Sequence, residues 1–138
     1  MQYCVLDTER IKGDQIYLLS YQLYDEAYNL VEKVTFQNTE VDLTGRKAPN
    51  SKLRKLEGMT RKYESFECIY SSIAEVLKDA LVIVFSTTDI ATIKKVCRQS
   101  GITYEKHKVL DLQKILFDFS EDEKHKSNLK QYCNAHVR

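Results

Sequence analysis

Tyr3-Cys4-Val5-Leu6-Asp7-Thr8-Glu9 decides how the rest of this chain is read. Its apolar opening and alternating pattern predict a β-strand that delivers two carboxylates with one residue between them. Alternate side chains of a strand share a face, so Asp7 and Glu9 point the same way, roughly 6–7 Å apart. Two acids so placed repel each other unless a cation lies between them, and magnesium or manganese takes such oxygen ligands. A strand end whose acids simply face water fits the local pattern as well, so the surroundings must discriminate.

Working outward, the 138 residues suit one domain spanning 1–138, and 43% apolar with 30% charged residues suits a globular protein with a real core. The net charge of +1 gives no global basic field. It does not exclude a nucleic-acid partner, because a local groove is enough to hold a strand. Cys4, Cys68, Cys97 and Cys133 are scattered and form no Cys-x-x-Cys pair, which argues against a zinc or redox motif. Cys4 and Cys97 lie among apolar neighbours and read as small core residues. With no basic-then-apolar leader and no apolar run near the roughly 18 residues of a membrane span, the expectation is a cytoplasmic protein without a membrane partner.

Arg10–Asp14 reads as a turn, with Gly13 able to supply a positive φ. Ile16–Tyr24 and Leu30–Phe36 read as two further strands, which makes an antiparallel meander. Gln37–Asn50 is polar, holds Gly45 and Pro49, and reads as loop. From Ser65, the residues Phe66, Ile69, Ile73, Val76 and Leu77 form a helical stripe. Leu81–Phe85 is a continuous apolar run, as in a strand covered on both faces. Ser86-Thr87-Thr88-Asp89 can cap a helix bearing Ile90, Ile93, Val96 and Cys97 and ending at Gly101. Val109-Leu110 is a short strand, Asp111 caps a helix with Leu112, Ile115, Leu116 and Phe119, and a charged loop over 120–126 leads to a last helix from Asn128 with Leu129, Tyr132 and Cys133. A meander followed by alternating helices and strands implies an α/β fold, a mixed sheet flanked by helices.

Asp89 is the third acid of interest. A carboxylate in a first helical turn stabilises that turn by about 0.3–1 kcal/mol with no other role. A helix start after a central strand also aims its acid toward a neighbouring strand end. If that neighbour is the first strand, Asp7, Glu9 and Asp89 converge, a plausible cage for two divalent ions about 3.5–4 Å apart.

These features resemble one family. Asp7-Thr8-Glu9 after an apolar strand is similar to the first motif of the DEDD-type 3′–5′ exonucleases, the proofreading (DnaQ-like) group with a ribonuclease H-like fold. The segment Lys52-Leu53-Arg54-Lys55-Leu56-Glu57-Gly58-Met59-Thr60 resembles the family's stretch ahead of its first long helix, and Val109-Leu110-Asp111-Leu112 resembles the segment that opens a later one. The ordered likeness runs over nearly the whole chain. It implies a metal-dependent 3′–5′ exonuclease that releases nucleoside 5′-monophosphates from single-stranded or 3′-terminal DNA or RNA. It further implies two Mg²⁺ or Mn²⁺ ions on Asp7, Glu9 and Asp89, and a polymerase or other replication protein as partner. By the same likeness Thr8, Arg10 and Ile11 would contact the terminal nucleotide and Met59 would pack against its base.

The sequence departs from the family twice. Phe85-Ser86-Thr87-Thr88-Asp89 is one residue shorter than the second motif and lacks its His, Asn and Phe, although Asp89 keeps the distance to Gly101. The third motif, a His or Tyr followed by an Asp, would fall just after Arg138. His107, His125 and His136 match no general base. The expectation is a C-terminal helix that is incomplete and a fragment of a longer exonuclease. The alternative is a catalytically inactive ribonuclease H-like module that binds nucleic acid or protein. Lys52, Arg54, Lys55, Arg61 and Lys62 form a basic cluster that reads either as a phosphate contact or as a solvated loop. Asp111 reads chiefly as a helix cap, and most tyrosines as sheet packing.

Overall fold

The computed structural model describes residues 1–56, 60–86 and 88–119. Ten elements follow one another: β1 (Gln2–Ile11), β2 (Gln15–Tyr24), β3 (Leu30–Asn38), α1 (Lys47–Lys55), β4 (Lys62–Glu64), α2 (Phe66–Leu77), β5 (Ala80–Val84), α3 (Thr88–Gln99), β6 (Val109–Asp111) and α4 (Leu112–Phe119). The strands form one mixed sheet in the order β4-β3-β2-β1-β5-β6. β1, β2 and β3 are the antiparallel meander, while β5 runs parallel to β1, β6 to β5 and β4 to β3. The strand that carries Asp7 and Glu9 is thus central, with the meander on one side and the parallel pair on the other.

Period-two alternation explains where the core lies. Cys4, Leu6 and Thr8 of β1 are buried on one face together with Leu19, Tyr21 and Leu23 of β2 and Phe36 of β3. Helices α2 and α3 cover that face with Ile69, Ile73, Ile93 and Cys97, each 1% exposed or less. Cys4 and Cys97 are core residues as expected, and burial pushes their thiols up to about 12 and about 11 respectively. The caps are local: Ser65 Oγ accepts from Cys68 N (3.3 Å), and Asp111 Oδ1 accepts from Lys114 N (3.2 Å).

Four expectations change. β1 pairs on to Ile11, which shortens the first turn to Lys12-Gly13-Asp14, where Gly13 and Asp14 have φ of 93° and 59°. Within 37–50, β3 extends to Asn38, whose buried amide donates to Ile16 O, and α1 begins at Lys47. Pro49 does not prevent this helix, because first-turn N–H groups have no partner inside a helix. The three-residue β4 is too short to show a period. β5 buries Ala80, Val82 and Val84 but leaves Leu81 and Ile83 half-buried, so it is not covered equally on both faces. Leu81 and Ile83 join Tyr3, Val5, Tyr24, Tyr28 and Leu110 in a shallow apolar hollow on the face away from α2 and α3. The charged loop from Ser120 and the helix expected from Asn128, with Leu129, Tyr132 and Cys133, lie outside the described residues. Among the described residues no helix is long and apolar enough to cross a membrane.

Candidate active site

Sheet register builds the site row by row on the face opposite α2 and α3. Val5 lies beside Gln22 and Lys33, Asp7 beside Ser20 and Thr35, and Glu9 beside Leu18 and Gln37. These rows floor a groove of about 290 Å³, closed at one end by Lys52 and Leu56 at the close of α1. Asp7 and Glu9 therefore do share a face, and that face is a concave polar surface.

A register shift between Glu9 and Arg10 lets Tyr17 bulge from β2. Past the bulge, Ile11, Tyr17 and Leu18 form a small buried cluster of their own, roofed by Leu53 and Leu56. This packing sets α1 over the Glu9 end of β1, where the Lys52 ammonium forms an ion pair with Glu9 Oε1. Burial opposes the charge of Lys52, but the hydrogen bond and charge of Glu9 outweigh it and hold the ammonium above its ordinary pKa.

Asp89 arrives from the other face. It lies in the first turn of α3, and its Oδ1 accepts a hydrogen bond from Thr8 Oγ1 at 2.5 Å. Thr8 thus ties the third acid to the residue between the first two. Asp7 keeps a path to solvent. Its carboxyl is nonetheless pushed above the usual carboxylate range by burial among the groove atoms first, and then by the charges of Asp89 and Glu9. Lys52 and the Thr8 amide offset only part of this. The three acids share one electrostatic neighbourhood. Their side chains remain divided, with Glu9 on Lys52, Asp89 on Thr8, and Asp7 without an ion pair among the described residues. Among those residues no group of three or more His, Cys, Asp or Glu is gathered closely enough to hold a metal ion.

No protein-family model matches the chain, and no curated protein matches it. The site is therefore argued from its own residues. Thr8 and Arg10 turn toward the helices: Arg10 Nη1 donates to Thr92 Oγ1 of α3 at 2.8 Å. Ile11 is buried beneath α1. None of the three lines the groove, whereas Ser20, Gln22, Lys33 and Thr35 do. Those four follow from the alternation of β2 and β3 once the hairpin register is known, but nothing in their own sequence marks them. Lys52 belongs to a helix and not to a solvated loop, and contacts the acid pair directly. Met59 lies outside the described residues. His107 is remote from the groove, among Leu77, Lys78, Asp79 and Lys108.

Proposed function

We propose that this chain is a ribonuclease H-like domain acting as a divalent-metal-dependent 3′–5′ exonuclease on DNA or RNA. One observation carries the reading: Asp7, on the central strand, has its carboxyl raised by burial and by the charges of Asp89 and Glu9. Carboxylates that crowd negative charge in a groove are suited to a hard cation taking oxygen ligands. The sheet order, an antiparallel meander with two parallel strands beside β1, is compatible with the fold that the sequence resembles.

Asp7, Glu9 and Asp89 would hold Mg²⁺ or Mn²⁺. Such an ion, when bound, would acidify the attacking water and stabilise the leaving 3′ oxygen. The chain's own residues supply the rest. Thr8 fixes the Asp89 carboxylate, and Lys33 and Lys52 place positive charge in the groove where phosphate oxygens would lie. Hydrolysis joins a water oxygen to phosphorus as the P–O3′ bond breaks. The products are a nucleoside 5′-monophosphate and a strand shortened by one residue with a free 3′ hydroxyl.

The reading is tested with 5′-labelled single-stranded DNA and RNA and the purified chain in Mn²⁺. Stepwise release of nucleotides is expected, and Asp7→Ala should abolish it; undiminished release by that variant would sink the proposal. The second reading, a non-catalytic nucleic-acid-binding or protein-interaction module, is favoured by the engagement of Glu9 with Lys52. It predicts no nucleotide release and no Mn²⁺ binding at millimolar concentration.

A further inference from the structure

Charge within the groove is unevenly matched. Glu9 already has a cation, the Lys52 ammonium, whereas Asp7 and Asp89 have none among the described residues. We infer that Lys52 stands in for one of two cations, so that this site takes a single divalent ion served by Asp7 and Asp89. This rests on the metal-dependent reading above and refines the two-ion arrangement which the family likeness implies.

Three features argue that the ammonium is a built part of the site. The first is how it is delivered. Lys52 immediately precedes Leu53, which with Leu56 packs on Ile11, Tyr17 and Leu18, so the lysine projects from an anchored turn. Asn50 pins the start of the same helix, its Nδ2 donating to Leu43 O and Arg46 O at 2.8 Å each. The second is charge. Three carboxylates and one ammonium leave two negative charges, which one divalent ion neutralises. A second ion beside Lys52 would meet an ammonium already on its ligand, and like charges a few ångströms apart repel strongly in a partly enclosed groove. The third is separation. Thr8 holds Asp89 at the Asp7 side of the site, away from the Glu9–Lys52 pair.

Lysine also differs from a metal ion in what it offers. An ammonium is a point charge with three donors that can neutralise a carboxylate and a phosphate oxygen together, but it does not acidify a water as a divalent ion does. Metal chemistry would then reside at Asp7 and Asp89, and Glu9 would chiefly position Lys52.

The test is the number of Mn²⁺ ions bound by the full chain, counted by isothermal titration and by loss of the free-ion electron spin resonance signal. One ion is expected for the unaltered protein and for Lys52→Arg, which keeps the charge. Two are expected for Lys52→Gln and for Lys52→Met, with the second at least about tenfold weaker than the first, since Glu9 would serve it without the fourth acid of the family pattern. Circular dichroism confirms that each variant is folded. Two ions in the unaltered protein overturn the inference, and so does one ion in all four proteins; either result leaves the metal-dependent reading intact. No ion in any of them overturns both.

Discussion

Asp7 holds a carboxylate where burial and two like charges disfavour it, and this has a definite sign for stability. Its pKa is higher in the folded chain than in the unfolded one. The unfolded chain therefore loses the proton first, at about pH 3.9. Stability falls as pH rises from there through the raised folded value, and the penalty is complete above it. Asp7→Asn should accordingly stabilise the protein at pH 7 while removing its metal affinity. Because Asp7 keeps a solvent path, the gain is discounted to about 0.5 kcal/mol or less, or roughly 2 °C in Tm. Thermal melts without metal at pH 7 and pH 3 check it: the variant's advantage should vanish at the lower pH, and an equal advantage at both would contradict the charge argument. Thr8→Val addresses the tether. The swap keeps the buried volume and loses only the hydroxyl that binds Asp89, so Mn²⁺ affinity should fall by about tenfold with stability changed by roughly 1 kcal/mol. The pairing of Asp7 with Glu9 on one face was legible because strand period two is fixed by the backbone. The Lys52–Glu9 contact was not, because it joins residues 43 apart through a bulge and a satellite cluster which no local pattern announces.

At the scale of elements, legibility followed apolar burial. α2 and α3 each turn a continuous stripe to the sheet, and both emerged close to the expected ends, with Ser65 as the cap of α2. α1 buries no residue fully, so it has no stripe to read, and its polar sequence with Pro49 reads as loop until the two leucines find the Ile11 cluster. The same contrast sets the energetics. Ile73 is 0% exposed in the main core, so Ile73→Ala should destabilise by about 2–5 kcal/mol, measured by urea unfolding, with the midpoint moving and the slope unchanged. Ser65→Ala removes the acceptor for Cys68 N and should cost about 1 kcal/mol. Glu40 Oε1, which accepts from Phe66 N at 2.7 Å, still holds the first turn, so the loss should stay near the low end of the cap range.

The whole molecule is a sheet with two apolar clusters of unequal weight, and the candidate site lies between them. The larger cluster joins both long helices to the sheet and includes Leu6 of the site strand; the smaller one serves only the bulge and α1. Burial sets the free energy of local opening, so the two regions need not open together. Backbone amides of β1 and β5 should exchange only with global unfolding, since both strands are central and paired on each side. Amides of α1 should exchange through a separate opening at much lower free energy. Leu53→Ala should lower the protection of α1 by roughly tenfold or more while leaving that of β1 and α2 within about twofold. Glu9→Gln should weaken α1 by less, because a partly exposed ion pair contributes only about 0–1 kcal/mol. Native-state hydrogen exchange followed residue by residue checks both. If α1 instead exchanged at the rate of β1 in the unaltered protein, the lysine would be fixed as firmly as the strand acids, and the groove would open only with the whole fold.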